Sequence, residues 1–442
     1  MVQIKNPLTI VQQGGGGDYS DDVRFIDYDG TVIAQMSIAE AQALTELPEG
    51  PVHDLIKFDG WTHTLQEVNA TTRKLDIGAM YVSADNPDQT IFGVWVQKGA
   101  SPTITFTQDT ANGVVFDWGD GSATQTYSGV GGVTASHTYT TTPTKMVYIT
   151  MTPQSGASFT IDGGNIPAFF LLVGKTYFAN YASLPKDYLN EMIISKKFQN
   201  TTLPNMRTLQ FLKALVVPNT ITALDTQVMA GNFALKEFVI PSSVSTIGVQ
   251  AFQGTCSLKR VILPDSLTSF GAAAFAPASG NPSGIEEIYI PAGVTSLDIS
   301  SSGMFQSAMA LREIEFDPNN QSMIFGNSLV RNTKSLEKLT VPASVSSIGQ
   351  TLCNASSLQE IIFKDRTTLP LFTSPTNTFT SSGRPYRFDF TDFTQVPSMN
   401  GDVWAACVGS GIPFTIFVPS SLESTWKLNA EWAPYADYIV GV

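Results

Sequence analysis

The sequence predicts a mainly β chain built around a stacked-repeat solenoid. Three observations carry that prediction. A short pattern, L-x-x-φ-x-φ-P with φ apolar, recurs eight times from residue 189 to residue 364. Within each copy the third and fifth residues after the leading Leu or Ile are apolar, the period of a strand with one buried face. Turn formers abound, with 35 Gly and 25 Pro, while only 14% of residues are charged. With 442 residues and 43% hydrophobic content, the chain is long enough for several cores.

The elements follow in chain order. Residues 1–17, MVQIKNPLTIVQQGGGG, end in four glycines and read as a flexible arm. They hold one Lys and no apolar h-region, so no secretory signal is expected there. Residues 18–98 read as an N-terminal α+β attachment unit. YDGTVI places a turn at Asp29-Gly30. Ser37 and Glu40 have capping-box spacing, which starts one short helix in SIAEAQALTEL. FDGWTHTLQEV and LDIGAMYVS complete the unit. The order D-G-T-V, L-P, P-x-H, G-W resembles segments that precede leucine-rich repeats in prophage and gut-bacterial proteins.

Residues 99–153 read as a small β-sandwich. ITFTQ (104–108), VVFDWGDGS (114–122), ATQTYSG (123–129), SHTYTT (136–141) and MVYITMT (146–152) are alternating runs between Gly, Asn and Pro turns. DWGDGS followed by HTY resembles the polycystic kidney disease-type (PKD) signature, an Ig-like sandwich. The resemblance implies that Trp118 and Tyr139 pack the core and that the GDG makes a tight turn.

Residues 154–365 hold the repeats. The copies are LNEMIIS (189), LKALVVP (212), LKEFVIP (235), LKRVILP (258), IEEIYIP (285), LREIEFD (311), LEKLTVP (336) and LQEIIFK (358). Start-to-start intervals are 23, 23, 23, 27, 26, 25 and 22 residues. The third and fifth residues after each leading Leu or Ile are apolar, for example Phe238/Ile240 and Val261/Leu263, and are expected to point inward. A bulky plug closes each unit at Met229, Phe252, Phe275 or Cys353. One unit cannot bury its own apolar face, so neighbours must stack. KEFVIPSSVSTIGVQAF (236–252) is similar to the BspA-like (Treponema pallidum-type) leucine-rich repeats. The units over 285–317 depart from that pattern, and FDPNNQSM replaces the usual turn, so wider loops are expected there. Residues 366–442 lose the period and read as a C-terminal cap.

Charge and chemistry narrow the function. Net charge is −13, and Lys and Arg form no cluster, which argues against nucleic acid. The longest apolar run, IPAFFLLV (166–173), is too short for a membrane span, and no membrane insertion is expected. Three Cys and three His match no zinc, protease or phosphate-loop pattern, so neither cofactor nor metal is expected. Asp117, Asp120 and Asp162 suit turns. His53 and His63 flank Trp61 and read as local core. The sequence is read as non-enzymatic.

The outward column of the repeat strands is the candidate ligand strip: Val239, Ile262, Glu287, Tyr289, Glu313, Glu315 and Lys338. The BspA-like resemblance implies adhesion to a host or bacterial surface. With the glycine arm and the likeness to prophage-borne proteins, the expectation is a phage virion component, in a tail, baseplate or head decoration. Its expected partners are other virion proteins and a bacterial surface protein or glycan, and a homo-oligomer is compatible. A cell-surface or secreted adhesin and a glycan-degrading virion enzyme are the alternatives.

Overall fold

The computed structural model describes residues 22–178, 188–278, 282–297, 303–353, 356–374, 378–379 and 385–442. The arm at 1–17 lies outside the described residues. Helix makes up 9% of the chain, and the repeats form a β-solenoid of about 11 turns. The chain divides into two compact units, Met1–Leu224 with Ala234–Val244, and Asp225–Phe233 with Ser245–Val442.

The first unit begins with a four-stranded sheet in the order Val32–Ser37, Asp22–Ile26, Leu75–Ser83, Ile56–Trp61. Gly30 takes φ +91° in the hairpin turn, and the Asp29 carboxylate accepts the Thr31 N–H at 2.8 Å. Ser37 and Glu40 form the expected capping box on helix Ile38–Gln42. A second helix, Leu65–Ala70, carries another between Thr64 and Glu67. Each box satisfies backbone donors that a short helix leaves unpaired. Phe25 meets Trp61 edge-on at 5.0 Å in the core of this sheet.

Two facing sheets follow. One runs Glu191–Ile194, Ala168–Val173, Thr90–Val94, Val147–Pro153, Val114–Asp117, Gln125–Tyr127. The other contains Phe159–Asn165, Thr103–Gln108 and Gly131–Ser136. Phe106 and Phe116 meet between them, ring centroids 5.4 Å apart. The sheets recruit strands on both sides of 99–153. One strand differs from expectation: it runs over Gly131–Ser136, ahead of HTY. The reason is local. His137 stacks on Trp118 at 5.4 Å, and the Tyr139 hydroxyl donates to the Trp118 carbonyl at 2.7 Å. Those contacts fix the HTY side chains, while the Tyr139 backbone exchanges hydrogen bonds with Gly99 and Ala100 at 2.8 and 3.0 Å, beyond the strand.

The first repeat strand, Glu191–Ile194, pairs in parallel with Ala168–Val173. The sandwich therefore covers an edge that would otherwise expose unpaired backbone groups. The next strands, Ala214–Val216 and Glu237–Val239, pair in parallel with each other. The N-terminal sheet lies on their outward side. Ile26, Val216 and Val239 form one buried cluster. Gly78 permits the approach, because a Cβ there would sit 2.3 Å from Val216 Cγ1. Arg24, its side chain 5% exposed, binds Asp76 at 2.8 Å and Glu237 at 3.1 Å. That triad, buried at Arg24 and Asp76 and part-buried at Glu237, links the sheet to a repeat strand more than 200 residues along the chain.

The second unit carries the later turns. Arg260–Ile262, Glu287–Ile290 and Glu313–Phe316 form one parallel ladder. Lys338–Val341, Glu360–Phe363, Tyr386–Asp389, Phe414–Val418 and Ile439–Gly441 form another. This ladder continues well past residue 365, where the sequence pattern stops. The inward pairs are buried as expected, except that Phe316 is half-buried. Phe252 and Phe275 stack at 5.3 Å as successive plugs. Cys353 fills the same slot, fully buried, and burial pushes its thiol up to about 12. Gly271 passes so close to Gly248 that a Cβ would lie 2.2 Å from its carbonyl carbon, which explains the Ile-Gly of the repeat. Gln227, Gln250, Ala273, Ser328 and Thr351 recur in the left-handed region, φ +53° to +59°. A tryptophan-rich core ends this unit, with Trp404 and Trp426 4.9 and 4.5 Å from Trp432.

Candidate functional site

The parallel register sets the outward column. Glu287 pairs with Glu313, and Tyr289 with Glu315, so the side chains stand side by side as period-2 geometry requires. Their environments differ. Val239 is 1% exposed and lies against Ile26 and Val216 under the N-terminal sheet. This corrects the expected strip, because Val239 presents no surface to a ligand. Ile262 is also buried, at 8%. Glu287 and Tyr289 are half-buried, whereas Glu313, Glu315 and Lys338 are exposed. Lys338 binds Glu360 at 3.5 Å, and Arg387 binds the same Glu360 at 2.9 Å. The accessible part of the strip thus reduces to its later members.

Glu313 and Glu315 open onto a cleft of about 440 Å³. Asp317, Pro318 and Asn320 form one wall, and Thr340, Pro342 and Lys364 belong to the other. The Asp-Pro-Asn-Asn turn builds it. Asp317 accepts the Asn319 N–H at 2.7 Å, and the Tyr289 hydroxyl donates to Asp317 at 2.7 Å. Buried Asn320 donates to the carbonyls of Ala292 and Val294, at 2.9 and 2.8 Å, and pins the loop to the preceding turn. Arg366 braces the neighbouring turn by donating to the carbonyls of Pro342, Ala343 and Val345. Three carboxylates and one ammonium line the cleft, so it favours a cationic or hydrogen-bond-donating partner. Sequence reading reached Glu313, Glu315 and Tyr289 but not Asp317, Asn320 or Lys364. The signal was the irregular FDPNNQSM turn.

The other sequence candidates resolve into structure. Asp117 and Asp120 accept the N–H groups of Gly119 and Ser122, at 2.8 and 3.0 Å. Asp162 accepts the Thr107 hydroxyl at 2.7 Å. Burial opposes ionisation of Asp120, but hydrogen bonds from Ser122 and His137 outweigh it and hold the carboxyl at about 2. His63 is buried, its Nδ1 3.1 Å from the Thr62 hydroxyl. His53 lies 3.0 Å from Asp27, which also accepts the Tyr81 hydroxyl at 2.5 Å. Among the described residues no group of three or more His, Cys, Asp or Glu side chains could hold a metal ion.

Comparison with protein families matches the BspA type Leucine rich repeat region, in six copies over residues 170–281, 206–301 and 281–382. Residues 170–382 are BspA-type leucine-rich repeats. The BspA-type region thus contains both the covered strands at 214–239 and the acidic cleft. Among solved structures, a leucine-rich repeat protein from Bacteroides ovatus is 16% identical, with TM-score 0.38 over 52% of this chain. The chain spans 65% of that protein's length. A leucine rich cell surface protein from Faecalibacterium prausnitzii is 17% identical, with TM-score 0.25 over 51% of this chain and 69% of that one. The pneumococcal vaccine antigen PcpA is 14% identical, with TM-score 0.23 over 48% of this chain and 74% of that one. No curated protein matches the chain. Among the described residues no helix is long and apolar enough to cross a membrane.

Proposed function

We propose that this protein is a non-enzymatic, surface-displayed adhesin whose BspA-type repeats bind a partner through the acidic cleft at Glu313, Glu315 and Asp317. The observation that carries the reading is the exposed pair Glu313 and Glu315 beside a cleft of about 440 Å³. Repeat stacking supplies a rigid platform, and an irregular turn interrupts it to make a concavity. The partner is a bacterial or host surface protein or glycan presenting amines or other donors. The carrier is a cell envelope, which suits a BspA-type repeat protein. A virion remains the second carrier, resting on the glycine arm and the prophage-like N-terminal segment.

Retention of labelled full-length protein on cells of the source culture tests the binding site. Glu313→Lys/Glu315→Lys should lower retention about tenfold while leaving the unfolding midpoint in place. Equal retention of the variant would remove the cleft from the reading. Immunogold microscopy with antibody to residues 185–365 decides the carrier. Label on cell envelopes supports the adhesin, and label at a fixed position on phage-like particles transfers the same adhesive role to a virion.

A further inference from the structure

A second concavity, of about 410 Å³, lies in the first unit, apart from the repeats' acidic cleft. Its walls include the rings of Tyr28, Trp95, Tyr148 and Phe169. Its polar groups include Asp54 and Asn190. Trp95 is 49% exposed, whereas the other five tryptophans are 7% exposed or less. A large indole left in water at the rim of a concavity is the unusual feature here.

The chemistry of the lining selects the ligand. No Lys or Arg is among the lining residues, while Asp54 and Glu191 are, so an anionic ligand is disfavoured. A wholly apolar ligand would strip water from Asp54 and Asn190 without replacing their hydrogen bonds, which is costly. The Asn190 side-chain amide, the Asp54 carboxylate and the Trp95 indole all belong to the lining. They offer donors and acceptors together around aromatic faces. A hydroxyl can both donate and accept, and a pyranose ring also presents C–H faces that pack on an indole or phenol. The volume falls within the small-molecule range.

We propose that this concavity is a binding site for a neutral saccharide, with Trp95 as the stacking platform and Asn190 and Asp54 as hydroxyl partners. The site stands on different residues from the adhesive cleft, so either can fail without the other.

Trp95 is a built-in reporter, because the buried tryptophans respond weakly to added quencher. Full-length protein is titrated with the methyl pyranosides of glucose, galactose and mannose, and with the β-linked dimer of N-acetylglucosamine. At least one sugar should shift the emission and shield Trp95 from acrylamide. Trp95→Ala and Asn190→Ala should each weaken that sugar's binding about tenfold or more, measured by calorimetry. Asn190→Ala keeps the reporter, and unchanged circular dichroism shows that it folds. The proposal is overturned if no sugar of the panel binds, if n-butylammonium binds more tightly than every sugar, or if both variants bind as the parent does.

Discussion

The outward face of the repeats is closed at Val216 and Val239 and open at Glu313 and Glu315. Both stretches share one strand pattern, one register rule and a buried inward row. What differs is the outward residue and what lies over it. Val216 and Val239 are apolar and meet Ile26 and Gly78 of the N-terminal sheet. Glu313 and Glu315 are charged and meet solvent beside a cleft. An identical repeat can therefore serve as a docking surface for its own chain or as a surface for a partner. The outward residues announce which, since burying a Val is favourable and burying an unpaired Glu is not.

The largest effect should come from the buried triad. Arg24→Met removes the buried guanidinium that Asp76 and Glu237 share, and should cost about 3–5 kcal/mol in urea unfolding of the full chain. Replacing all three by apolar residues should recover most of that loss. An unchanged midpoint for Arg24→Met would mean that the sheet does not hold the repeat face. Gly78→Ala forces a Cβ against Val216, and about 1–3 kcal/mol of destabilisation is expected, partly relieved by Val216→Ala in the double variant. Thr351→Gly acts in a turn of the second unit. It removes a β-branched residue from φ +54° and should stabilise the second unit, by up to about 1 kcal/mol. Glu313→Lys/Glu315→Lys should change stability by less than about 0.5 kcal/mol, so that its effect falls on binding alone.

A further expected effect concerns acid. The Asp120 carboxyl is held at about 2 against 3.8 when unfolded. A depressed acid stabilises the fold above the unfolded value, and that contribution fades as pH falls from about 4 toward about 2. NMR titration of Asp120 should place its midpoint near the lower value, and His137→Ala should raise it.

Much of this fold is legible in the sequence. The inward positions are legible because strand alternation and stacking leave little choice: Phe238, Val261 and Leu339 had to be buried. The capping box at Ser37 and Glu40 is legible because its two hydrogen bonds are local. Its twin at Thr64 and Glu67 carries the same local signature in TLQE. FTIFVP at 414 keeps a strand-Pro pair and is legible, whereas the strands at 386 and 439 are hidden because they no longer follow the Leu-and-Pro frame, and aromatic packing around Trp404 and Trp432 replaces it. The fate of Val239 is hidden for a different reason. Nothing within a repeat records that Ile26, over 200 residues upstream, lies against it. The cleft is half legible: the broken turn was visible, but the walls from Thr340 and Lys364 come from later turns.

The central claim is that one repeat face is closed early and open late. Thiol labelling of Val239→Cys and Glu315→Cys, each in a Cys256→Ser background, tests it most directly. Cys353 and Cys407 are buried and should stay silent. The account predicts that position 315 reacts at the rate of a free thiol, and position 239 about 100-fold more slowly until denaturant is added. Equal rates at the two positions under native conditions would contradict it.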